Sequence, residues 1–217
     1  MDCGSCEGLE RETERWAQED LANYRRGKLV KTTPMLIRAL VDMGVQDLTL
    51  LDIGGGVGAV QLDLLRAGAS HATSVDASNA YLAAAKEEAS RASLEPRITY
   101  VHGDFVALAD GIPEADIVTL DRVICCYADV EALVSRSAAK ARKVYGLVFP
   151  RDVWWEKLAL YVENLAYRVK GSSFRAFVHP TELVQRLLGT AGLKEIYHRN
   201  TFSWQVVLYQ RSSAPSR

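Results

Sequence analysis

Short apolar runs alternate along this chain with longer amphipathic stretches, and the alternation predicts strands followed by helices. Residues 9–26 are polar and helix-compatible, with Trp16, Leu21 and Tyr24 as apolar anchors, which suits an N-terminal arm lying over a domain. Thr33-Pro34 opens a second helix, with threonine as cap and proline at the first helical position, and Met35, Leu36, Leu40 and Val41 as its apolar face. Gly44 closes it. Leu48–Ile53 then reads as a buried strand, Gly54–Gly58 as a glycine loop and Ala59–Ala67 as a helix. His71–Asp76 is a second strand, and Ser78 caps a helix running to about Ala92. Further strands are predicted at 97–101, 115–120 and 144–149, with a helix from about Val130 to Ala141 between the last two.

After Pro150 the pattern changes. Helices at Val153–Val169 and Thr181–Ala191 precede two strands, Leu193–His198 and Phe202–Tyr209, joined by Arg199-Asn200-Thr201. So short a connection makes them an antiparallel hairpin. The whole predicts an α/β, doubly wound, seven-stranded sheet, mostly parallel with a C-terminal antiparallel hairpin. The division expected is an arm at 1–32 and a domain at 33–217, with a helical cover around 150–192. The 153–170 helix is apolar nearly all round, through Trp154, Trp155, Leu158, Tyr161, Val162, Leu165 and Val169, which implies burial on more than one side. Core packing on the sheet is the first expectation, with a homodimer face or a lid over a flat acceptor as alternatives.

The sharpest chemical signal is Leu51-Asp52-Ile53-Gly54-Gly55-Gly56-Val57-Gly58, between a strand and a helix. Glycines there let the backbone turn tightly and approach a ligand, and the helix start offers unpaired N–H groups. Gly54-x-Gly56-x-x-Ala59 also fits a dinucleotide fingerprint, and Asp76 would serve either reading as the acid that binds a ribose. Three features separate the two. Asp52 stands where dinucleotide loops keep an apolar residue; His102-Gly103-Asp104-Phe105 puts an acid and an aromatic at the sheet edge; and the chain closes in a hairpin.

On Asp52-x-Gly54-x-Gly56-x-Gly58, Val75-Asp76, Gly103-Asp104-Phe105 and Asp116–Asp121, residues 33–210 resemble the class I S-adenosylmethionine-dependent methyltransferases, a Rossmann-like fold. The resemblance implies that Asp52 and the backbone of Gly54, Gly56 and Gly58 border the methionine part of S-adenosylmethionine. It implies that Asp76 accepts the ribose hydroxyls and that Asp104 with Phe105 reads adenine. Asp121 to Tyr127 would face the reacting methyl. The fourth-strand stretch and Asn23-Tyr24-Arg25-Arg26-Gly27 are most similar to magnesium-protoporphyrin O-methyltransferases, which place a histidine before the tyrosine where this chain has Cys126-Tyr127. Asp121-Arg-Val-Ile departs from the tetrapeptide of nucleic-acid amino-methyltransferases. Methyl transfer is an in-line displacement, so alignment supplies most of the catalysis, and a base is needed only when the acceptor must lose a proton. His179, Tyr127 and Tyr24 are the candidate bases, with the thiols Cys125 and Cys126 as further candidates. A nicotinamide-dependent oxidoreductase and a non-catalytic binding protein on the same fold are the rival readings.

Composition narrows the picture further. Lys+Arg 26 against Asp+Glu 27 argues against a nucleic-acid-coating protein, and no apolar run approaches the ~20 residues of a membrane span. The near-zero sum hides a split: 12 basic and 22 acidic residues over 1–134, against 14 and 5 over 135–217. With Arg168, Lys170 and Arg175 in the predicted lid, the split suggests a small-molecule acceptor that is apolar with an anionic group. The polar, acidic N-terminus has no signal-peptide pattern, so cytoplasmic residence is expected. There the four cysteines Cys3, Cys6, Cys125 and Cys126 are free thiols before they are disulfides. Their spacing is poor for structural zinc, and no metal is expected.

Overall fold

The computed structural model describes the backbone of residues 4–212 and the side chains of 13–212. In chain order the elements are α1 (Gly4–Arg25), α2 (Thr32–Asp42), β1 (Thr49–Ile53), α3 (Ala59–Arg66), β2 (His71–Asp76), α4 (Asn79–Arg91), β3 (Ile98–His102) and α5 (Phe105–Leu108). They continue with β4 (Ala115–Asp121), α6 (Val130–Lys140), β5 (Ala141–Pro150), α7 (Trp154–Val169), α8 (Thr181–Thr190), β6 (Leu193–Asn200) and β7 (Trp204–Arg211). The seven strands form one sheet in the order β3-β2-β1-β4-β5-β7-β6. β1 to β5 pair in parallel, and β7 inserts antiparallel between β5 and β6.

Strand alternation divides the core in two. Leu51, Val118, Tyr145, Leu147 and Val207 point to the face covered by α5, α6 and α8, whereas their neighbours Leu50, Ile117, Val144, Val148 and Val206 point to the face covered by α2, α3 and α4. A strand buried on both faces needs this continuous apolar run, which the sequence supplies. Strand order reverses direction at β1, so β2 and β4 flank it and leave a crevice at their carboxyl ends. Asp52 lies beside Ser74 and Thr119, and Asp76 beside His102, so this register sets the carboxylates at one edge.

α1 runs along α4 and is pinned by polar contacts between Thr13 and Arg25. The Ser78 hydroxyl donates to Thr13 Oγ1 at 2.8 Å, the Tyr81 hydroxyl donates to Asp20 at 2.7 Å, and Arg25 bridges Glu87 and Glu88. Trp16 then meets Phe174 and Tyr167 edge to face at 5.3 and 6.4 Å, joining the arm to the segment after α7.

The structure corrects three local expectations. Thr33 is inside α2 instead of capping it, and its hydroxyl donates to Asp121. The hairpin turn falls at 201–203, because β6 runs two residues beyond its expected end and β7 is shifted two residues on, to Trp204–Arg211. Above all, α7 is not core-packed. Glu156 is its one fully buried residue, while Trp154, Leu158, Tyr161, Val162, Leu165 and Val169 are all at least half exposed. These six fall on one stripe of the helix. The inner side is held by Asn164, whose amide exchanges two 2.8 Å hydrogen bonds with the Ala176 backbone, and by Tyr167. High apolar content fixed the helix, and a contact to a loop took the place of a contact to the sheet.

Leu36 is fully buried between α2 and the sheet, so Leu36→Ala is expected to lower the unfolding free energy by about 2–5 kcal/mol. Leu165→Ala on the exposed stripe should change it by less than about 0.5 kcal/mol. Urea titration of the two variants checks the contrast.

Candidate functional site

The crevice at the carboxyl ends of β1, β2 and β4 opens into two adjoining cavities. The larger is lined by Asp52, Gly54, Gly55, Gly56, Asp76, Asp121 and Arg122 from the sheet edge, by Thr33 of α2 and Tyr81 of α4, and by Trp16, Lys28 and Phe174 above. The smaller is an apolar slot between Ile53, Val75, Phe105, Val123 and Leu133, with Asp76, Asp104, Cys126 and Tyr127 at its rim.

The glycine loop is built as its composition implies. Gly54 has φ +64°, and a Cβ there would lie 2.6 Å from Val123 Cγ2, so a side chain would clash with the wall between the cavities. Gly58 lies outside both cavities. It opens α3 with φ +84°, and a Cβ would press on Gln61 and Ala85, so its service is to the packing of α3 on α4. The Gly56 N–H donates to Asp76 Oδ2 at 3.2 Å, and the Ser78 N–H donates to Asp76 Oδ1 at 2.9 Å, so the loop and the start of α4 aim one carboxylate.

Asp52 is fully buried, and Thr119 donates to its Oδ1 at 2.6 Å. Its Oδ2 has no hydrogen-bond partner, and neither does Asp121 Oδ1, which faces Arg122 Nε at 3.6 Å. Arg122 itself is held at φ +62°, a left-handed geometry uncommon outside glycine, where the chain leaves β4. Burial raises Asp52 to about 7, helped by the negative charges of Asp121 and Asp76 and opposed by the Thr119 hydroxyl. Burial also raises Asp76, to about 6, and raises Asp121. Three carboxylates that resist ionisation around one cavity make a site that a cation would stabilise.

Asp104 caps α5 by accepting from the Val106 N–H at 3.0 Å, and the Tyr127 hydroxyl donates to both its oxygens at 3.1 and 2.9 Å. Phe105 is buried beside it. The structure therefore brings together Asp52, Gly54, Gly56, Asp76 and Asp121 in one cavity, and Asp104, Phe105 and Tyr127 in the other.

The remaining candidates lie apart. His179 is buried behind the turn after β4, where Nε2 sits 2.9 Å from the Ile124 carbonyl and 3.0 Å from that of Tyr127. Both are acceptors, so Nε2 carries the proton, and burial lowers the imidazole's pKa. Tyr24 packs on the α2–α3 side and accepts from Arg66 at 3.3 Å. Neither lines a cavity. Arg168 is exposed and Arg175 donates to the carbonyls of Ser172 and Phe174; the cations that do line the larger cavity are Lys28 and Arg122.

Sequence reasoning missed Tyr81, Asp20, Asn23 and Lys28 as lining residues. Tyr81 stands three positions after the Ser78 cap and so faces back over the glycine loop, a placement that only the arm's path across α4 completes. Cys3 and the side chain of Cys6 lie outside the described residues. Among the described residues no group of three metal-ligating side chains occurs, and no helix is long and apolar enough to cross a membrane.

Residues 50–146 match a family model described as a methyltransferase domain. No curated protein sequence is matched by the chain. Among solved structures, it is similar to magnesium protoporphyrin IX methyltransferase from Synechocystis PCC 6803 with bound S-adenosylhomocysteine, at 22% identity over 84% of this chain and 83% of that one, with TM-score 0.69. It is also similar to an O-methyltransferase family 2 protein from Planctomyces limnophilus in complex with apigenin, at 16% identity over 92% and 62% of the two chains, with TM-score 0.66. An O-methyltransferase family protein from Burkholderia thailandensis matches at 17% identity over 86% and 58%, with TM-score 0.64.

Asp52 gives a pH signature. A carboxylate raised above its unfolded value adds stability fully below about pH 4 and loses it as pH rises through about 7. Asp52→Asn is therefore expected to raise the thermal midpoint at pH 8 relative to the parent chain and to flatten its fall between pH 4 and 8. Thermal scans of the cofactor-free protein across that range check it.

Proposed function

We propose that this class I S-adenosylmethionine-dependent methyltransferase transfers its methyl group to an oxygen of a small apolar acceptor that carries an anionic group. The observation that supports the cofactor assignment to these residues is the buried Asp52 oxygen without a partner, beside the glycine loop and an Asp121 oxygen met only by Arg122 at 3.6 Å. A cationic ligand there supplies the missing partners and relieves the mutual repulsion with Asp76.

When bound, S-adenosylmethionine supplies a positively charged sulfonium methyl, ready for a single in-line displacement. Asp52, Asp121 and the backbone of Gly54 and Gly56 hold the amino-acid end. Asp76, steadied by two backbone N–H bonds, receives the ribose hydroxyls. The slot between Val75, Phe105 and Leu133 accepts the flat adenine, with Asp104 at its rim and Tyr127 fixing the orientation of Asp104. The turn from Asp121 to Tyr127 borders both cavities and would face the methyl.

The acceptor then enters beneath Trp16 and Phe174, whose rings exclude water, and Lys28 at the rim meets its anionic group. Residues 1–32 act as an arm that completes the cavity of the 33–217 domain, and Phe174 gives the 150–192 cover its contact with the site. Holding acceptor and donor in line can account for about 7–11 kcal/mol of the barrier. Of the three candidate bases, Tyr127 is engaged by Asp104, His179 pins the turn after β4, and Tyr24 stands beside Arg66. Orientation is thus the chain's main catalytic contribution. The free thiols at Cys125 and Cys126 fit a reducing, cytoplasmic setting, and the exposed stripe of α7 is the surface a homodimer would use.

Native mass spectrometry of the protein as purified is expected to show retained S-adenosylmethionine or S-adenosylhomocysteine. Retention of a nicotinamide cofactor in its place would overturn the reading. Losing one charged hydrogen-bonding site of ~1.5–3 kcal/mol, Asp76→Ala should weaken S-adenosylhomocysteine about 10- to 150-fold by calorimetry. Unchanged affinity would remove Asp76 from the site.

A further inference from the structure

The turn after β4 carries two adjacent thiols that the methyl-transfer reading leaves without a role. Cys125 and Cys126 lie in the short 3₁₀ helix Ile124–Cys126, both as free thiols, with their sulfurs 3.7 Å apart. They are placed differently. Cys125 is buried with its sulfur 3.3 Å from the Arg122 carbonyl oxygen, whereas Cys126 is half-buried and lines both cavities. One thiol of the pair can therefore meet a small solute while the other waits behind it.

The same turn anchors the roof. The Phe177 N–H donates to the Cys125 carbonyl at 2.7 Å, and His179 Nε2 bridges the carbonyls of Ile124 and Tyr127. The segment so held carries Phe174 over the larger cavity, and Tyr127 reaches from the turn to Asp104. Bringing two sulfurs from 3.7 Å to the ~2.05 Å of a covalent bond must twist the peptide between them, and these anchors move with it.

We propose that Cys125 and Cys126 are a thiol modification site at which a hydroperoxide closes a disulfide between neighbouring residues and loosens the roof of the cofactor cavity. The Cys126 thiolate attacks the peroxide oxygen, the O–O bond breaks, and an alkoxide or hydroxide leaves and takes up a proton. This yields a sulfenic acid at Cys126. The Cys125 sulfur then attacks the Cys126 sulfur, its proton leaves with the departing hydroxide as water, and the S–S bond forms. Two thiols and one hydroperoxide become one disulfide, one alcohol or water, and one further water. The surroundings suit this order: the Cys125 thiol, by hydrogen bonding, and the Arg122 guanidinium lower the Cys126 pKa, while burial and the Glu163 carboxylate oppose them. Cys125 is raised, first by its hydrogen bond to Cys126 and then by burial, so the cavity-facing thiol is the one that reacts first. Once Cys126 is a neutral sulfenic acid, its charge no longer holds the Cys125 thiol protonated.

The test uses the full chain and a Cys3→Ser/Cys6→Ser variant, neither given cofactor or acceptor, so its outcome does not depend on methyl transfer. After hydrogen peroxide, alkylation and trypsin, the 123–136 peptide is expected to be lighter by two hydrogens and unalkylated, and dithiothreitol should restore two alkylation sites. Cys125→Ser cannot close the ring and should accumulate a Cys126 sulfenic acid that a 1,3-diketone probe traps. Two alkylatable thiols after peroxide excess, or a Cys126 bond to another cysteine, overturns the site. The oxidised chain should also lose affinity for S-adenosylhomocysteine, reversibly. Unchanged affinity with the disulfide formed overturns the link to the roof.

Discussion

Burial of carboxylates at one edge of the sheet is the constraint on which the rest of this molecule depends. Asp76 and Asp121 end β2 and β4, and Asp52 is the penultimate residue of β1; these are the strands around the point where the sheet reverses its winding. Removing a carboxylate from water is unfavourable unless something compensates, and here the compensation is incomplete. Thr119 serves one oxygen of Asp52, Thr33 serves one of Asp121, and backbone N–H groups serve both of Asp76. What is left over, a buried oxygen on Asp52 with no partner and one on Asp121 met only by Arg122 at 3.6 Å, is a standing preference for a cation in the cavity.

The second layer closes that edge off. α1 reaches across α4 through Thr13, Asp20 and Arg25, and delivers Trp16 to meet Phe174 above the carboxylates. Phe174 is held in turn by the segment that Asn164, His179 and the Cys125 carbonyl tie down. Nearly every roof contact therefore runs through either the arm or the turn after β4. That turn also supplies Val123, against which Gly54 packs too closely for any side chain. Both cavities and the roof share one short stretch of backbone.

The fold was legible in the sequence because its signals are local. The apolar runs through Leu50-Leu51 and Ile117-Val118, the glycines at 54 to 58 and the Ser78 cap each act within a few residues. The carboxylate edge was legible for the same reason, since Asp52 and Asp76 lie near the carboxyl ends of β1 and β2, which register then brings together. Where the reading departed from the structure, the deciding contact was distant in sequence. Thr33 left its expected cap for Asp121, 88 residues away, and His179 turned its imidazole to carbonyls more than 50 residues back. For α7 the apolar pattern was read correctly as a helix, but pattern cannot tell a face packed on a sheet from a face left open. The basic bias of 135–217 likewise resolves into exposed side chains such as Arg168, while the cations at the cavity, Lys28 and Arg122, come from the acidic part.

The central claim is that a cation completes a set of reluctant carboxylates, and proton-linked calorimetry tests it most directly. S-adenosylmethionine titrated near pH 6.5, in buffers of different ionisation heat, should release protons, because the bound cation draws Asp52 and its neighbours to their charged form. Affinity should rise with pH through about 6 to 7 and level off above. Binding that exchanges no protons and holds one affinity across that range would contradict the account.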